Sequence, residues 1–249
     1  MSKNKNNETL LNVVVDDAGS DKTVVDVRRK VTYWHGGFYP AMNREIYIGG
    51  CSNFQGTQEY KINARSYFID ELVILESLPD FEKASGLVKC LRHYTFCEYK
   101  SPDRTLTIKD IDRLMGLTRL YVEGGDKSRN DVAALFVVSH FPRKALKELP
   151  DGGGLEKIEQ GIYTRLSDNI PMSIVVIPEL DKEKYRLLSS LRRNMSIEIL
   201  PNLIDELSRH SNNELLLSYI NGYIYWIFDA YANEIIEGEI EMTSKLFTA

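Results

Sequence analysis

The alternation of apolar and polar positions along the chain predicts an ordered succession of strands and helices. In the segment FIDELVIL (68–75), alternate residues fall on opposite faces, as they do in a strand. The segment VAALFVVS (132–139) is apolar almost throughout, which is typical of a parallel strand buried on both faces. Further strands are predicted from residue 58 up to this first segment and at 96–100, 155–158, 161–166 and 172–177.

Apolar residues at helical spacing predict helices between and after these strands. The helix with the clearest ends begins at Thr107, where Asp110 makes an approximate capping box, and stops at Gly124–Gly125. Other helices are predicted at 34–48, with Pro40 in the first turn, and at 141–149, 181–193, 202–209 and 214–237. The last one is apolar and aromatic almost all round, which indicates burial in the fold, a homodimer contact or a surface for a partner protein.

The segment FCEYKSP (96–102) carries the strongest candidate chemistry. It reads as a short strand that ends in a turn, with Phe96, Glu98 and Lys100 on one face and Cys97 and Tyr99 on the other. Residues two apart on a strand are separated by about 6–7 Å. That spacing suits a carboxylate that holds a divalent metal beside a lysine that acts on a water or phosphate. Taken alone, it favours the alternative, a solvated cross-strand charge pair.

Three further acids bear on this choice. Asp70 and Glu71 lie among apolar residues, where a buried and unpaired carboxylate is costly, so one of them needs a partner or a metal. The alternative is an edge strand that leaves both acids in water. Glu45 lies beside the apolar stripe of the first predicted helix, and the alternative for it is a solvated position.

The order of these elements and acids resembles the PD-(D/E)XK, or restriction-endonuclease-like, nuclease superfamily. The likeness extends to an uncharacterised bacterial subgroup through TYWHGGFYPAMNREI, FIDELVIL, RHYTFCEYKSPDRTLTIKDIDRLMGLTRLYV and the later FPRKALKEL, GIYTRL and IPMSIVVIPELDKEK. The resemblance implies an α/β fold with a mixed central sheet flanked by helices and a helical C-terminal extension. The resemblance covers residues 32–195, the nuclease-like domain, and the extension follows at 196–249. A flexible arm is expected at 1–31, and its Val-rich pieces at 11–15 and 24–27 suit an edge hairpin or an arm.

The resemblance also assigns roles to individual residues. Asp70 matches the strand acid that binds a metal, and Glu98 matches the second metal-binding acid. Lys100 matches the lysine that orients the attacking water or stabilises the charge on the phosphate, and Glu45 matches an additional metal-binding acid on the first helix. The implied cofactor is Mg²⁺ or Mn²⁺. Asp80, in a turn-like Pro-Asp pair, is the alternative to Asp70 as the motif acid.

The composition limits how the chain can contact nucleic acid. The formal net charge is −5 and the pI is about 5.5. Proteins that coat nucleic acid over a wide surface are usually basic, so any DNA contact should be local. Arg143, Lys144 and Lys147 share one predicted helix face and are the candidate phosphate contacts, with a solvated helix face as the alternative.

Other classes of protein lack support in the sequence. The three cysteines form neither a disulfide framework nor a zinc pattern, and Cys97 is expected to face the core. The glycines at 152–154 do not follow a predicted strand and lack GxGxxG spacing, which disfavours an enzyme with a nucleotide cofactor. The N-terminal sequence has no signal-peptide pattern and no window approaches a membrane span, so the expected compartment is the cytoplasm.

Together these expectations describe a Mg²⁺-dependent nuclease that acts on DNA, in a mobile element or a defence system. The alternative is an interaction or regulatory module that keeps the fold but has no chemistry. Metal binding distinguishes the two.

Overall fold

The protein is described here by a computed structural model. It describes residues 34–61, 68–125, 127–149, 154–167, 169–191, 199–210 and 212–236. All of them belong to one compact unit, Thr32–Ala249. The Val-rich strands predicted at 11–15 and 24–27 lie outside the described residues.

A seven-stranded mixed sheet forms the centre of the described structure. Its strands are β1 (Phe54–Lys61), β2 (Phe68–Leu75), β3 (Tyr94–Lys100), β4 (Val132–Val138), β5 (Glu156–Glu159), β6 (Ile162–Ser167) and β7 (Ile170–Val176), in the spatial order β1-β2-β3-β4-β7-β6-β5. The strands β1, β2 and β3 are antiparallel neighbours, whereas β3, β4 and β7 run parallel. The strands β6 and β5 continue the sheet in antiparallel fashion. The predicted α/β class with a mixed sheet is confirmed.

Helices cover both faces of this sheet. They are α1 (Trp34–Ile48), α2 (Gly86–Lys89), α3 (Ile108–Glu123), α4 (Arg143–Glu148), α5 (Arg186–Ser190), α6 (Ile199–Arg209) and α7 (Glu214–Ile236). Thr107 and Asp110 form the expected capping box at the start of α3. The helix predicted at 181–193 begins later, at Arg186, because the Asp181 side chain accepts hydrogen bonds from the backbone N–H groups of Glu183 and Lys184. Such a local turn competes with the helix.

The first helix differs from its prediction at Pro40. The structure places Pro40 inside α1, six residues after the helix begins, rather than in the first turn. A proline there gives up one backbone hydrogen bond and crowds the preceding turn. That turn holds Gly36 and Gly37, whose backbone is less restricted than that of other residues. The helix α7 also comes close at this point, since a Cβ on Gly222 would lie 3.5 Å from Cβ of Pro40.

The sheet separates two hydrophobic cores. On one face α1, α2, α5, α6 and α7 enclose a core that contains Cys97 and Tyr99, and on the other face α3 and α4 enclose a core that contains Phe96. The alternation predicted for β3 is therefore confirmed, and Cys97 is fully buried. Within the described residues, none of the helices combines the length and apolarity needed to cross a membrane.

The C-terminal helices complete the first core. Trp226 of α7 packs against Trp34 of α1 with ring centroids 5.9 Å apart. Arg44 of α1 donates through Nε to Oε1 of Glu206 on α6 at 3.1 Å, and both side chains are buried. The face of α7 that carries Tyr223 and Trp226 is thus buried in the fold, as one of the alternatives for this helix required.

Candidate functional site

Asp70 lies near the start of β2, beside the end of β3. The two strands are antiparallel, and their ladder ends at the pair Glu71–Cys97. Beyond that pair, the backbone N–H of Tyr99 donates to Oδ2 of Asp70 at 2.7 Å. The carboxylate therefore takes the place of a strand partner at the point where β2 and β3 separate, and it lies beside the peptide that joins Glu98 to Tyr99.

The second oxygen of Asp70 faces the first helix. Nε2 of His35 lies 3.3 Å from Oδ1 of Asp70, and the two side chains are 40% and 23% exposed. The hydrogen bond to Asp70 is the main reason that the pKa of His35 is raised. Burial opposes this shift, while the negative charges of Asp70 and Glu98 add to it. Sequence reasoning missed His35, because an isolated histidine in a helix gives no spacing signal.

The backbone of β1 is strained opposite Asp70. The ladder between β1 and β2 pairs Gln58 with Glu71 and Tyr60 with Ile69, so Glu59 stands across from Asp70. Glu59 has a φ of 46°, a left-handed conformation that is costly for a residue other than glycine. Such strain often accompanies functional positions.

The side chains of Glu98 and Lys100 lie on the face of the sheet that α3 covers, which is the face opposite to α1. Nζ of Lys100 donates to Oε1 of Glu98 at 3.0 Å and to Oδ1 of Asp110 at 2.8 Å. A guanidinium nitrogen of Arg113 donates to the same Oε1 of Glu98. Asp110 and Arg113 are three residues apart, so one face of α3 presents both partners to β3. Four charged groups thus form a chain in the order Arg113, Glu98, Lys100 and Asp110.

The protonation state of Lys100 follows from this chain. Burial by itself would lower the pKa of Lys100, but the hydrogen bond to Asp110 and the interactions with Glu98 outweigh it, and the pKa is raised. Asp110 is affected in the opposite sense: burial favours its acid form, yet hydrogen bonds from Lys100 and Thr107 lower its pKa. Lys100 is therefore a persistent cation, suited to stabilising negative charge rather than to removing a proton.

Glu45 lies in a different cluster. It follows His35 by ten residues on α1, which places it about 15 Å farther along the helix axis. Its Oε1 accepts a hydrogen bond from the backbone N–H of Leu187 at 2.9 Å, and its Oε2 pairs with Nη1 of Arg44 at 3.0 Å. Burial raises the pKa of Glu45 to about 7. The structure brings Asp70, Glu98 and Lys100 to one end of the sheet and leaves Glu45 apart, where it holds the first turn of α5.

Asp80, the alternative motif acid, lies beyond the other end of β2. It is exposed, accepts a hydrogen bond from the backbone N–H of Glu82 and pairs with Lys83 at 3.1 Å. The start of β2 is the end that meets Glu98 and Lys100, so the geometry favours Asp70 over Asp80.

Glu71, next to Asp70, is the acid that the strand buries. Its side chain accepts a hydrogen bond from Nδ2 of Asn43 at 2.9 Å. Among the described residues, neither Oε2 of Glu71 nor Oδ1 of Asn43 has a hydrogen-bond partner. Burial raises the pKa of Glu71 to about 8, the charge of Asp70 adds to this effect, and the bond from Asn43 opposes it. Of the two adjacent acids, Glu71 is buried with Asn43 as its partner, and Asp70 is partly exposed at the start of β2.

Replacing Glu71 with glutamine is expected to stabilise the protein at pH 8 and to change little at pH 4. The pKa of Glu71 rises on folding from 4.5 to about 8. The stability linked to its proton is therefore complete below pH 4.5 and is lost as the pH rises to 8. Glutamine has no charge to bury, so the variant should gain roughly 1–3 kcal/mol over wild type across this range. Urea unfolding at both pH values, with Glu82→Gln as an exposed control, measures the gain, and an equal gain at both would contradict it.

Asp70 and Glu98 could bind a divalent metal only at a site with few protein ligands. Among the residues that the structure describes, no three or more His, Cys, Asp or Glu side chains are grouped so as to hold a metal. Mg²⁺ nevertheless needs only one or two carboxylates, because it keeps several waters. Asp70 lies partly in solvent, and the partners of Glu98 in the described structure bind Oε1, which leaves Oε2 for a ligand. The donor chemistry of each carboxylate, taken singly, thus suits Mg²⁺ or Mn²⁺.

No protein-family model, curated protein or solved structure matches this chain. The case for a function therefore rests on the motif residues and on the geometry described above.

Proposed function

We propose that this chain is a metal-dependent nuclease that hydrolyses phosphodiester bonds in DNA and has a restriction-endonuclease-like core. One observation carries the proposal: Asp70, Glu98 and Lys100 all lie at the end of the sheet where β2 and β3 separate. The order of α1, β1, β2, β3, α3 and β4, with an antiparallel meander followed by a parallel crossover, supports it. The short helix α2 is an insertion in this order.

In this proposal, the carboxylates of Asp70 and Glu98 are the two protein ligands of the metal ion. Asp70 would hold Mg²⁺ from the rim of the site, and Glu98 would hold it through Oε2. A bound Mg²⁺ supplies a more acidic water and neutralises charge on the phosphate. His35 and the Tyr99 peptide fix the orientation of the Asp70 carboxylate. Arg113 fixes Glu98 through Oε1.

Lys100 stabilises the negative charge that develops on the phosphate during hydrolysis. A fixed cation in a buried site is effective because it needs no reorganisation when the charge appears. Asp110 holds the ammonium at 2.8 Å and keeps it protonated. Since Lys100 is a persistent cation, it does not serve as the base that removes a proton from the attacking water.

Three exposed cations lie on α4, which follows this end of the sheet. The strands β3 and β4 are parallel, so α4, which follows β4, begins at the end where Lys100 lies. Ser139, in the connection to α4, donates to the carbonyl oxygen of Lys100 at 3.1 Å. Arg143, Lys144 and Lys147 are exposed on α4. In the proposed nuclease they contact phosphates that flank the bond to be cleaved, which suits a protein with a local rather than wide basic surface.

A cleavage assay tests the proposal directly. The purified full chain, incubated with Mg²⁺ or Mn²⁺, is expected to cut single-stranded or double-stranded DNA, and EDTA is expected to stop the reaction. Both forms of DNA are tested, in linear and circular substrates. If none is cut with either metal, and calorimetry detects no binding of Mn²⁺, the nuclease proposal fails.

A second candidate is a module with the same fold and no chemistry. The observation that favours it is the closed chain of charges in which Arg113 and Asp110 already neutralise Glu98 and Lys100. Titration with Mn²⁺ separates the two candidates. A nuclease should bind one or two Mn²⁺ ions and lose this binding in Glu98→Gln, whereas an inactive module should show no saturable binding.

A further inference from the structure

The turn that follows β3 carries an arginine beside the candidate site. The backbone N–H of Arg104 donates to the carbonyl oxygen of Ser101 at 2.9 Å, which closes the turn directly after Lys100. Ser101 and Pro102 are buried, whereas Arg104 is exposed. The turn thus leaves β3 at the end of the sheet where β2 and β3 separate, and it brings the side chain of Arg104 to the surface there.

Two neighbouring elements hold this turn in place. Nε1 of Trp34, the first residue of α1, donates to Oδ2 of Asp103 at 3.2 Å. On the other side, Nε2 of His140 lies 3.1 Å from the carbonyl oxygen of Pro102. His140 belongs to the connection between β4 and α4. The backbone that carries Arg104 is therefore fixed both from α1 and from the segment that leads into α4.

The guanidinium of Arg104 lies near Asp70. The hydrogen bond with Asp70 is the main cause of the raised pKa of His35, and the positive charge of Arg104 is among the effects that oppose it. Exposed charges that are more than about 10 Å apart are largely screened from each other. Arg104 is therefore a neighbour of the pair formed by His35 and Asp70.

No described carboxylate neutralises the charge of Arg104. Lys100 is paired with Glu98 and Asp110, and Arg113 is paired with Glu98. Arg104, in contrast, makes no ion pair with a residue that the structure describes. Its N–H groups are thus available to an anion that reaches the site. A guanidinium binds phosphate through paired N–H···O bonds, and arginine is the side chain best suited to this contact.

We propose that Arg104 binds a phosphate of the DNA strand next to the phosphate at which Lys100 acts. The inference rests on the proposed nuclease function, and it makes Arg104 a substrate-binding residue of that site. Arg143 and Lys144 of α4 follow shortly after His140, which contacts the same turn from the other side. The DNA strand therefore crosses this end of the sheet between α1 and α4, and Arg104 is its contact on the side of α1.

Binding of DNA under conditions of slow cleavage tests this role. A fluorescein-labelled DNA duplex and a labelled oligothymidylate are each titrated with Lys100→Met protein in Mg²⁺, at several salt concentrations. Adding Arg104→Gln is expected to weaken binding of the tighter DNA by about tenfold, the effect of losing one charge-assisted contact. It should also reduce the slope of log affinity against log salt by about one, because one phosphate contact is lost.

Two further variants separate the charge of Arg104 from its structural effect. Arg104→Lys keeps the charge and should retain the salt dependence, with a smaller loss of affinity because the paired hydrogen bonds are gone. Lys89→Gln is the matched control. It removes an exposed charge from α2, which precedes β3 and so lies away from Lys100, and it should change neither the affinity nor the salt dependence.

The results distinguish this inference from the nuclease proposal. Unchanged affinity and salt dependence in Arg104→Gln would overturn the inference alone, and so would a loss of salt dependence that Arg104→Lys does not restore. If the Lys100→Met protein binds neither DNA, both proposals fail. Binding that depends on the charge of Arg104 supports the inference even where the wild-type protein cuts no DNA, a result that would reject only the hydrolysis.

Discussion

Replacing Lys100 with methionine is expected to lower the rate of DNA cleavage by at least about a hundredfold. The loss of one preorganised group that stabilises developing charge costs on the order of 10²–10³ in rate. Methionine keeps the length and apolar character of the lysine stem but has no charge. It therefore preserves the packing between β3 and α3 while it removes the cation that Glu98 and Asp110 hold in place.

Lys109→Met is the matched control for this experiment. Lys109 lies on α3 next to Asp110, is exposed, and lies outside the chain of charges. Its loss should change the cleavage rate by less than about twofold, the size of a surface charge effect. Thermal unfolding of both variants shows whether they remain folded at the assay temperature. Full activity in folded Lys100→Met protein would remove Lys100 from the mechanism and would favour the inactive module.

Replacing Gly37 with alanine is expected to destabilise the protein by about 1–3 kcal/mol, the usual cost of forcing atoms into a packed core. A Cβ at position 37 would lie 2.5–2.7 Å from three atoms of the Trp226 ring. This ring has little room to move, since it packs against Trp34 at 5.9 Å and Tyr223 at 5.2 Å. The substitution would therefore push α7 away from α1. Denaturant unfolding measures the loss.

Gly116→Ala provides the opposite case on a second helix. Gly116 lies inside α3, and a Cβ there meets no atom of the described residues within 4 Å. Alanine should stabilise the protein by about 0.5–1 kcal/mol, because it is a better helix former and restricts the unfolded chain. If Gly37→Ala and Gly116→Ala changed the free energy of unfolding by the same amount, the close contact between α7 and α1 at Gly37 would be contradicted.

The sequence predicts the fold best where a local pattern is strong. The apolar run of β4 and the alternation of β2 and β3 identify three strands at the middle of the sheet. The Thr107 cap defines the start of α3, because cap and helix lie within four residues. The sequence does not predict the position of Pro40 inside α1, which depends on how α7 packs against it. It also does not predict the late start of α5, which depends on a turn made by the Asp181 side chain.

The candidate site shows the same limit. Strand periodicity is enough to place Glu98 and Lys100 on one face. It does not reveal that Arg113 and Asp110 would meet them, since these residues are 10–15 positions away on a helix whose rotation is set by the second core. Glu45 has the residue type and helix expected of a metal ligand. Its depth in the first core, which only the packing of α5 and α6 determines, places it elsewhere.

The bond between Asp70 and the Tyr99 peptide has a consequence for the evolution of this chain. A residue that only binds metal is free to drift once a lineage loses its chemistry. If Asp70 binds metal as proposed, position 70 is constrained twice, because its oxygen also replaces a missing strand partner for a backbone N–H. An aspartate or asparagine there is therefore expected to persist even in inactive descendants. A homologue that keeps Asp70 could therefore keep it for the structure of the sheet, and the residue alone would not indicate an active enzyme.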